Sequence, residues 1–116
     1  MDTTGQELSD AFGLVVDFTI KPGHTDAFDE LMRKTVADIR RHEPRTLAYV
    51  VQTVEGDPQR RVFYELYADA EAFEHHERQA HTLHFKHERD QHIAAKTVDR
   101  LGVVTAAGRV LDQDDG

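Results

Sequence analysis

Cysteine is absent from the 116-residue chain, so neither a disulfide framework nor a thiolate metal site can form. Basic residues are scarce. The 14 Lys and Arg stand against 22 Asp and Glu, a formal net charge of -8. Nucleic acid and anionic membrane surfaces both need basic patches, so neither is expected as a partner. No apolar run is long enough to span a bilayer, and the N-terminus shows no signal-peptide pattern. These absences predict a soluble cytoplasmic protein. No period repeats, and the length suggests one domain with a modest core.

What the chain does have is histidine. Six of its eight histidines fall in the stretch Val62–His92. That stretch opens as a strand in which Val62, Tyr64 and Leu66 alternate with Phe63, Glu65 and Tyr67. Bulk at both parities suggests a strand covered on both faces. Glu65 is the one charge inside it, and a buried carboxylate needs partners or must stay protonated. Asp69 stands where its side chain can cap a following helix. His76, His81, His84, His87 and His92 come next. On one continuous helix they would share roughly half of its circumference.

The remaining elements follow in order. Residues 1–12 read as a polar, flexible arm. Gly13–Ile20 is rich in β-branched and aromatic residues and reads as a strand, ended by Lys21-Pro22-Gly23. His24–His42 is the best helix, with Phe28, Leu31, Met32, Thr35, Val36 and Ile39 on one face. His24 or Thr25 is expected to cap it, and Glu43-Pro44 to stop it. Leu47–Val54 and Arg60–Tyr67 read as strands around a loop at Glu55–Gln59. A helical region over Asp69–Thr97, broken near Gln79–His81, precedes a last strand at Leu101–Leu111. Residues 112–116 form an acidic tail, leaving 13–111 as the folded domain.

Strand, helix, strand, strand, helix, strand is the split βαβ order of ferredoxin-like α+β folds. It predicts a four-stranded antiparallel sheet with helices on one face. The other face is also apolar, and a chain this short has nothing left to cover it. A second copy packed sheet to sheet would, so a homodimer is expected, with the last strand reaching toward the partner.

The segments KPGHTDAFDELM, RRHEPRTLAYVV and VFYELYADAEAFEHHERQAHTLHF resemble the antibiotic-biosynthesis-monooxygenase family. Within it they are most similar to the small quinol-monooxygenase-like and autoinducer-processing branch. The resemblance runs from about Gly13 to about Val110. Its densest part is Tyr64-Glu65, Asp69, Ala72-Phe73, His76 and His81. The family usually carries Glu-Pro-Gly where this chain has Glu43-Pro44-Arg45, which leaves the local turn open but not the fold. The resemblance implies a dimeric α+β barrel with a pocket between sheet and helices. It also implies oxidation of an electron-rich phenol or hydroquinone by O₂ without a bound cofactor.

The residues suit that chemistry. A deprotonated hydroquinone is a far better electron donor to O₂ than the neutral diol. The protein then needs a base near neutral pH, an apolar slot and donors for the oxyanion. Histidine suits the base role. The expected catalytic set is His76, His81 and Glu65: one imidazole as base, the other holding the oxyanion, and Glu65 orienting an imidazole. His24, Tyr49, Tyr67, Phe73, His84 and Phe85 are the expected substrate-binding residues, with small aromatic substrate and O₂ as partners.

Several alternatives stand beside this. Glu65 could form a structural ion pair with Arg45 or Arg61. His75, His87 and His92 read as solvated. His81, His84 and His87 recur every three residues and could share a metal, although no acidic ligand is evident. Some relatives degrade haem using a pocket tryptophan, which this chain lacks. An isomerase of a small phosphorylated signal sugar would need a cationic site, with Arg45, Arg60 and Arg61 as candidates. A dimeric binding module without activity is the non-enzymatic alternative.

Overall fold

The computed structural model describes residues 8–108. A 3₁₀ turn at Leu8–Asp10 leads into β1 (Phe12–Ile20), α1 (Thr25–His42), β2 (Thr46–Val54) and β3 (Asp57–Tyr67). Two short helices, α2 (Ala70–Arg78) and α3 (Ala80–Arg89), precede β4 (Ile93–Gly102). The strands form one sheet in the order β2-β3-β1-β4, with every neighbouring pair antiparallel. This is the expected ferredoxin-like βαββαβ arrangement.

Local chemistry explains each boundary. In α1 the buried Phe28, Met32, Thr35 and Ile39 recur at three- and four-residue spacing, which turns one stripe to the sheet. The helix ends where the Glu43 N–H bonds the Ile39 carbonyl at 2.9 Å, and Pro44 forbids another turn. His24 occupies the N-cap position but makes no side-chain capping bond. The break between the two C-terminal helices falls at Gln79, whose extended backbone (φ -69, ψ 143) closes α2 and opens α3. Asp69 caps α2 as expected, accepting from the Ala72 N–H at 2.8 Å.

Two expectations need correction. The β2–β3 connection is shorter than Glu55–Gln59. Gly56 takes φ 82, so Glu55 and Gly56 alone turn the chain and β3 begins at Asp57. The last strand is Ile93–Gly102, not Leu101–Leu111, and the helical region stops at Arg89, not Thr97. Ala94, Ala95 and Lys96 have modest strand propensity, but β1 offers a free edge. Its ladder pairs Val16 with Val98 and Phe18 with Lys96. Residues 103–108 have no strand structure, and 109–111 lie outside the described residues.

The core lies between the sheet and the helices. Val16, Phe18 and Ile20 of β1 and Phe63 of β3 pack against Phe28 and Met32 of α1 and Phe85 of α3. Phe18 stands edge-on to Phe63 and Phe28, with centroids 4.9 and 5.6 Å away. The opposite sheet face carries Val15, Val50, Val62, Tyr64 and Leu101. All are at least partly exposed, and at one end of this face Tyr64 packs with Leu8 and Val103 against buried Ala11, Ala48 and Leu66. Arg60 and Asp17 form an ion pair on that face.

Candidate active site

Strand register aims a set of side chains at the helices. Leu14 of β1 and Tyr49 of β2 both pair with Glu65 of β3, so all three share the helix-covered face. Together with Val16, Phe18, Phe63, Phe73, His76 and Phe85 they line a cavity of about 190 Å³ between the sheet and α2–α3. Pockets for drug-sized ligands run about 300–1,000 Å³. This one suits a single small ring.

His76 is the titratable ring in that wall. It is buried, and its Nδ1 lies 2.8 Å from Oε1 of Glu43. Glu43 has a side chain with no exposed surface and takes two more hydrogen bonds. Thr46 Oγ1 donates at 2.7 Å to the same oxygen, and His81 Nε2 bonds the other. Burial alone would push this carboxyl up. The hydrogen bonds from His76, Thr46 and His81 outweigh it, and the group sits below the usual carboxylate value. With Nδ1 on Glu43, Nε2 is the His76 nitrogen left for a ligand in the cavity.

Glu65 is also buried, but its partner is Tyr67, whose hydroxyl donates at 2.5 Å. Burial raises the Glu65 carboxyl above its ordinary value despite that bond. Burial, and then the nearby Glu65 charge, push the phenols of Tyr49 and Tyr67 upward. Both keep their protons at neutral pH and act as donors, not bases. Tyr67 donates its hydrogen bond to Glu65. Tyr49 is packed 5.6 Å from the His76 ring, and among the described residues nothing bonds its hydroxyl.

Of the expected residues, Glu65, His76, Tyr49, Phe73 and Phe85 meet in this cavity, and Tyr67 joins through Glu65. His81 does not line it. His81 reaches Glu43 from the far side and faces a groove between α1 and α3, beside His42 and His84. The two histidines therefore converge on one carboxylate, not on one ligand. The carboxylate that orients them is Glu43; Glu65 touches neither through a hydrogen bond. His24 lies elsewhere, its Nδ1 3.0 Å from that of His92. Sequence reasoning took Glu43 for a helix stop and missed its second role.

The remaining alternatives can be placed too. Arg45, Arg60 and Arg61 pair with Asp69, Asp17 and Asp29, and none lines the His76 cavity. They do not form a phosphate site there. Among the described residues no three His, Asp or Glu side chains group as metal ligands, and the His87 side chain is 84% exposed. A larger cleft of about 540 Å³ between α1 and β2 holds the Arg61–Asp29 pair, which is closed on itself.

The sequence profile of the family described as "Antibiotic biosynthesis monooxygenase" matches residues 11–88. The chain belongs to the antibiotic biosynthesis monooxygenase family. Solved structures agree on the fold. A candidate antibiotic biosynthesis monooxygenase from Caulobacter crescentus superposes with a TM-score of 0.79 at 19% identity, over 87% of this chain and 96% of that one. One from Nitrosomonas europaea gives 0.78 at 23%, over 86% and 96%. A protein from Pseudomonas aeruginosa gives 0.76 at 26%, over 84% and 98%. No curated protein sequence matches the chain. The family match places Glu43, Glu65, His76 and His81 all within the antibiotic biosynthesis monooxygenase region.

Proposed function

We propose that the protein is a monooxygenase that oxidises a small aromatic hydroquinone or polyphenol with O₂. The observation that carries this reading is His76, held by buried Glu43 at the wall of an aromatic, ring-sized cavity. His76 Nε2 takes the phenolic proton. The imidazolium that forms is stabilised by the Glu43 carboxylate, and Nδ1–H keeps the ring oriented. Tyr49 donates to the resulting oxyanion. Phe18, Phe63, Phe73 and Phe85 exclude bulk water and offer O₂ an apolar path.

The electrons balance within the substrates. A hydroquinone loses four electrons on becoming a hydroxyquinone, and O₂ takes four. A ring carbon and O₂ form a hydroperoxide. The imidazolium returns its proton as the O–O bond breaks, and water leaves. One oxygen atom stays on the ring and the other departs as water. No external reductant is needed, so a bound redox cofactor is not part of the proposal.

The working form is proposed to be a homodimer with the exposed parts of the sheet faces opposite the helices packed together. The residues after Gly102 would reach toward the partner. Turnover in labelled O₂ tests the chemistry: one labelled atom should enter each product molecule. Absence of label in the product, or no oxygen uptake with any hydroquinone, defeats the reading.

A further inference from the structure

The charged groups on the cavity wall do not all find partners there. Glu65 takes the Tyr67 hydroxyl, His76 is bound to Glu43, and Glu77 pairs with Lys86. Two cations remain, Arg89 at the end of α3 and Lys96 on β4, and both line the cavity. They flank the same ring. The Arg89 guanidinium lies 5.4 Å from the Phe18 centroid and 5.4 Å from that of Phe85. Lys96 is in register with Phe18 across the β1–β4 ladder.

Among the described residues the protein holds Arg89 only through those two rings and Asp90, and Lys96 is exposed. The Arg89 side chain is only 14% exposed, yet its one ion pair is a 3.4 Å approach to Asp90, itself 72% exposed. Arginine is rarely this buried without a close counter-charge. Among the described residues no hydrogen bond or ion pair engages Lys96. The chain carries a net charge of -8, so two unmatched cations at one cavity run against its overall balance.

We infer that Arg89 and Lys96 form an anion subsite, and that the substrate is an aromatic diol bearing a carboxylate. This rests on the proposed hydroquinone reading and narrows it. The ring would lie among Phe18, Phe73 and Phe85 with a phenolic oxygen toward His76. The carboxylate would reach the rim, where the Arg89 fork can take it with two hydrogen bonds and Lys96 supplies a second charge.

The test separates binding from turnover. Calorimetry without O₂ compares 2,5-dihydroxybenzoate with its methyl ester, which has the same ring and no charge. A hydrogen-bonded charge contributes about tenfold to hundredfold in affinity, so the acid should bind tighter by that factor. The preference should fall close to one in Arg89→Gln and in Lys96→Gln. It should survive Arg33→Gln, which removes the same charge from the exposed face of α1. Lys96 is exposed at a sheet edge, so its variant reports even if Arg89→Gln does not fold. Equal binding of acid and ester by the wild type, binding of neither, or a preference that persists in Lys96→Gln overturns the inference. Oxygen uptake with unsubstituted hydroquinone but no acid preference would sink the subsite and leave the monooxygenase reading standing. An acid preference with no uptake from any diol would do the reverse.

Discussion

Glu43 and His76 meet at 2.8 Å across 33 residues of sequence, joining the end of α1 to the last turn of α2. The carboxylate is wholly enclosed, and His81 and Thr46 complete its shell. One side chain therefore ties α1, β2, α2 and α3 together. The same side chain aims the proposed base.

Removing that carboxylate should be costly. Glu43→Ala leaves two imidazoles and a hydroxyl without their acceptor in the interior. Breaking a buried charged pair costs about 3–5 kcal/mol. Urea unfolding followed by circular dichroism should show a loss of that order. A loss well under this would mean that the three donors find other partners.

The two buried carboxylates should respond to pH in opposite senses. Glu43 has a folded value below its ordinary 4.5, so its stabilisation is present above that pH and fades as pH falls through the folded value. Glu65 has a folded value above 4.5, so the fold favours its protonated form. Its contribution is full below 4.5 and is lost as pH rises through the folded value. Across the acid range, Glu43→Gln should lose ground against wild type as pH rises toward 4.5, while Glu65→Gln should gain it as pH rises above 4.5. Thermal midpoints of both variants across that range check this. Parallel trends would contradict the assigned directions.

The aromatic core predicts a third effect. Phe28 is fully buried against Phe18, Phe63 and Phe85. Phe28→Ala should cost about 3–5 kcal/mol, because the rings around it cannot collapse into the space. Denaturant midpoints measure it. A change under about 1 kcal/mol would mean that the site repacks more freely than cores do.

Most of the fold was legible because its signals are local. The α1 stripe, the Asp69 cap, the break at Gln79 and the β-branched runs each depend on neighbours in sequence. The position of β4 was not, because Ala94–Lys96 become a strand only when β1 supplies a ladder. The site divided the same way. His76, Glu65, Tyr49, Phe73 and Phe85 sit on elements whose facing can be worked out from parity and helical spacing. Glu43 escaped because its role depends on packing the end of α1 against α2 and α3, a contact no local pattern encodes. His81 was misplaced for a related reason: the turn at Gln79 rotates α3, and the ring reaches Glu43 from the groove side.

The exposed part of the sheet face opposite the helices carries the prediction of a homodimer. Val15, Val50, Val62, Tyr64 and Leu101 share it. Specific interfaces bury about 1,200–2,000 Å² in all. Light scattering at micromolar concentration should give twice the chain mass. Val62→Lys, placing a charge at the middle of the face, should shift it toward monomer. A stable folded monomer in the wild type would rule the assembly out.

The most direct test of the account is the base itself. Oxygen consumption is measured with a panel of hydroquinones, plain and carboxylated, for wild type and His76→Ala. General-base catalysis contributes about 10²–10⁴-fold. His76→Ala should lower kcat/KM by at least about a hundredfold on the best substrate of the panel, with unfolding midpoints confirming that the variant is folded. Turnover in folded His76→Ala equal to wild type would contradict the claim that this imidazole, held by Glu43, starts the reaction.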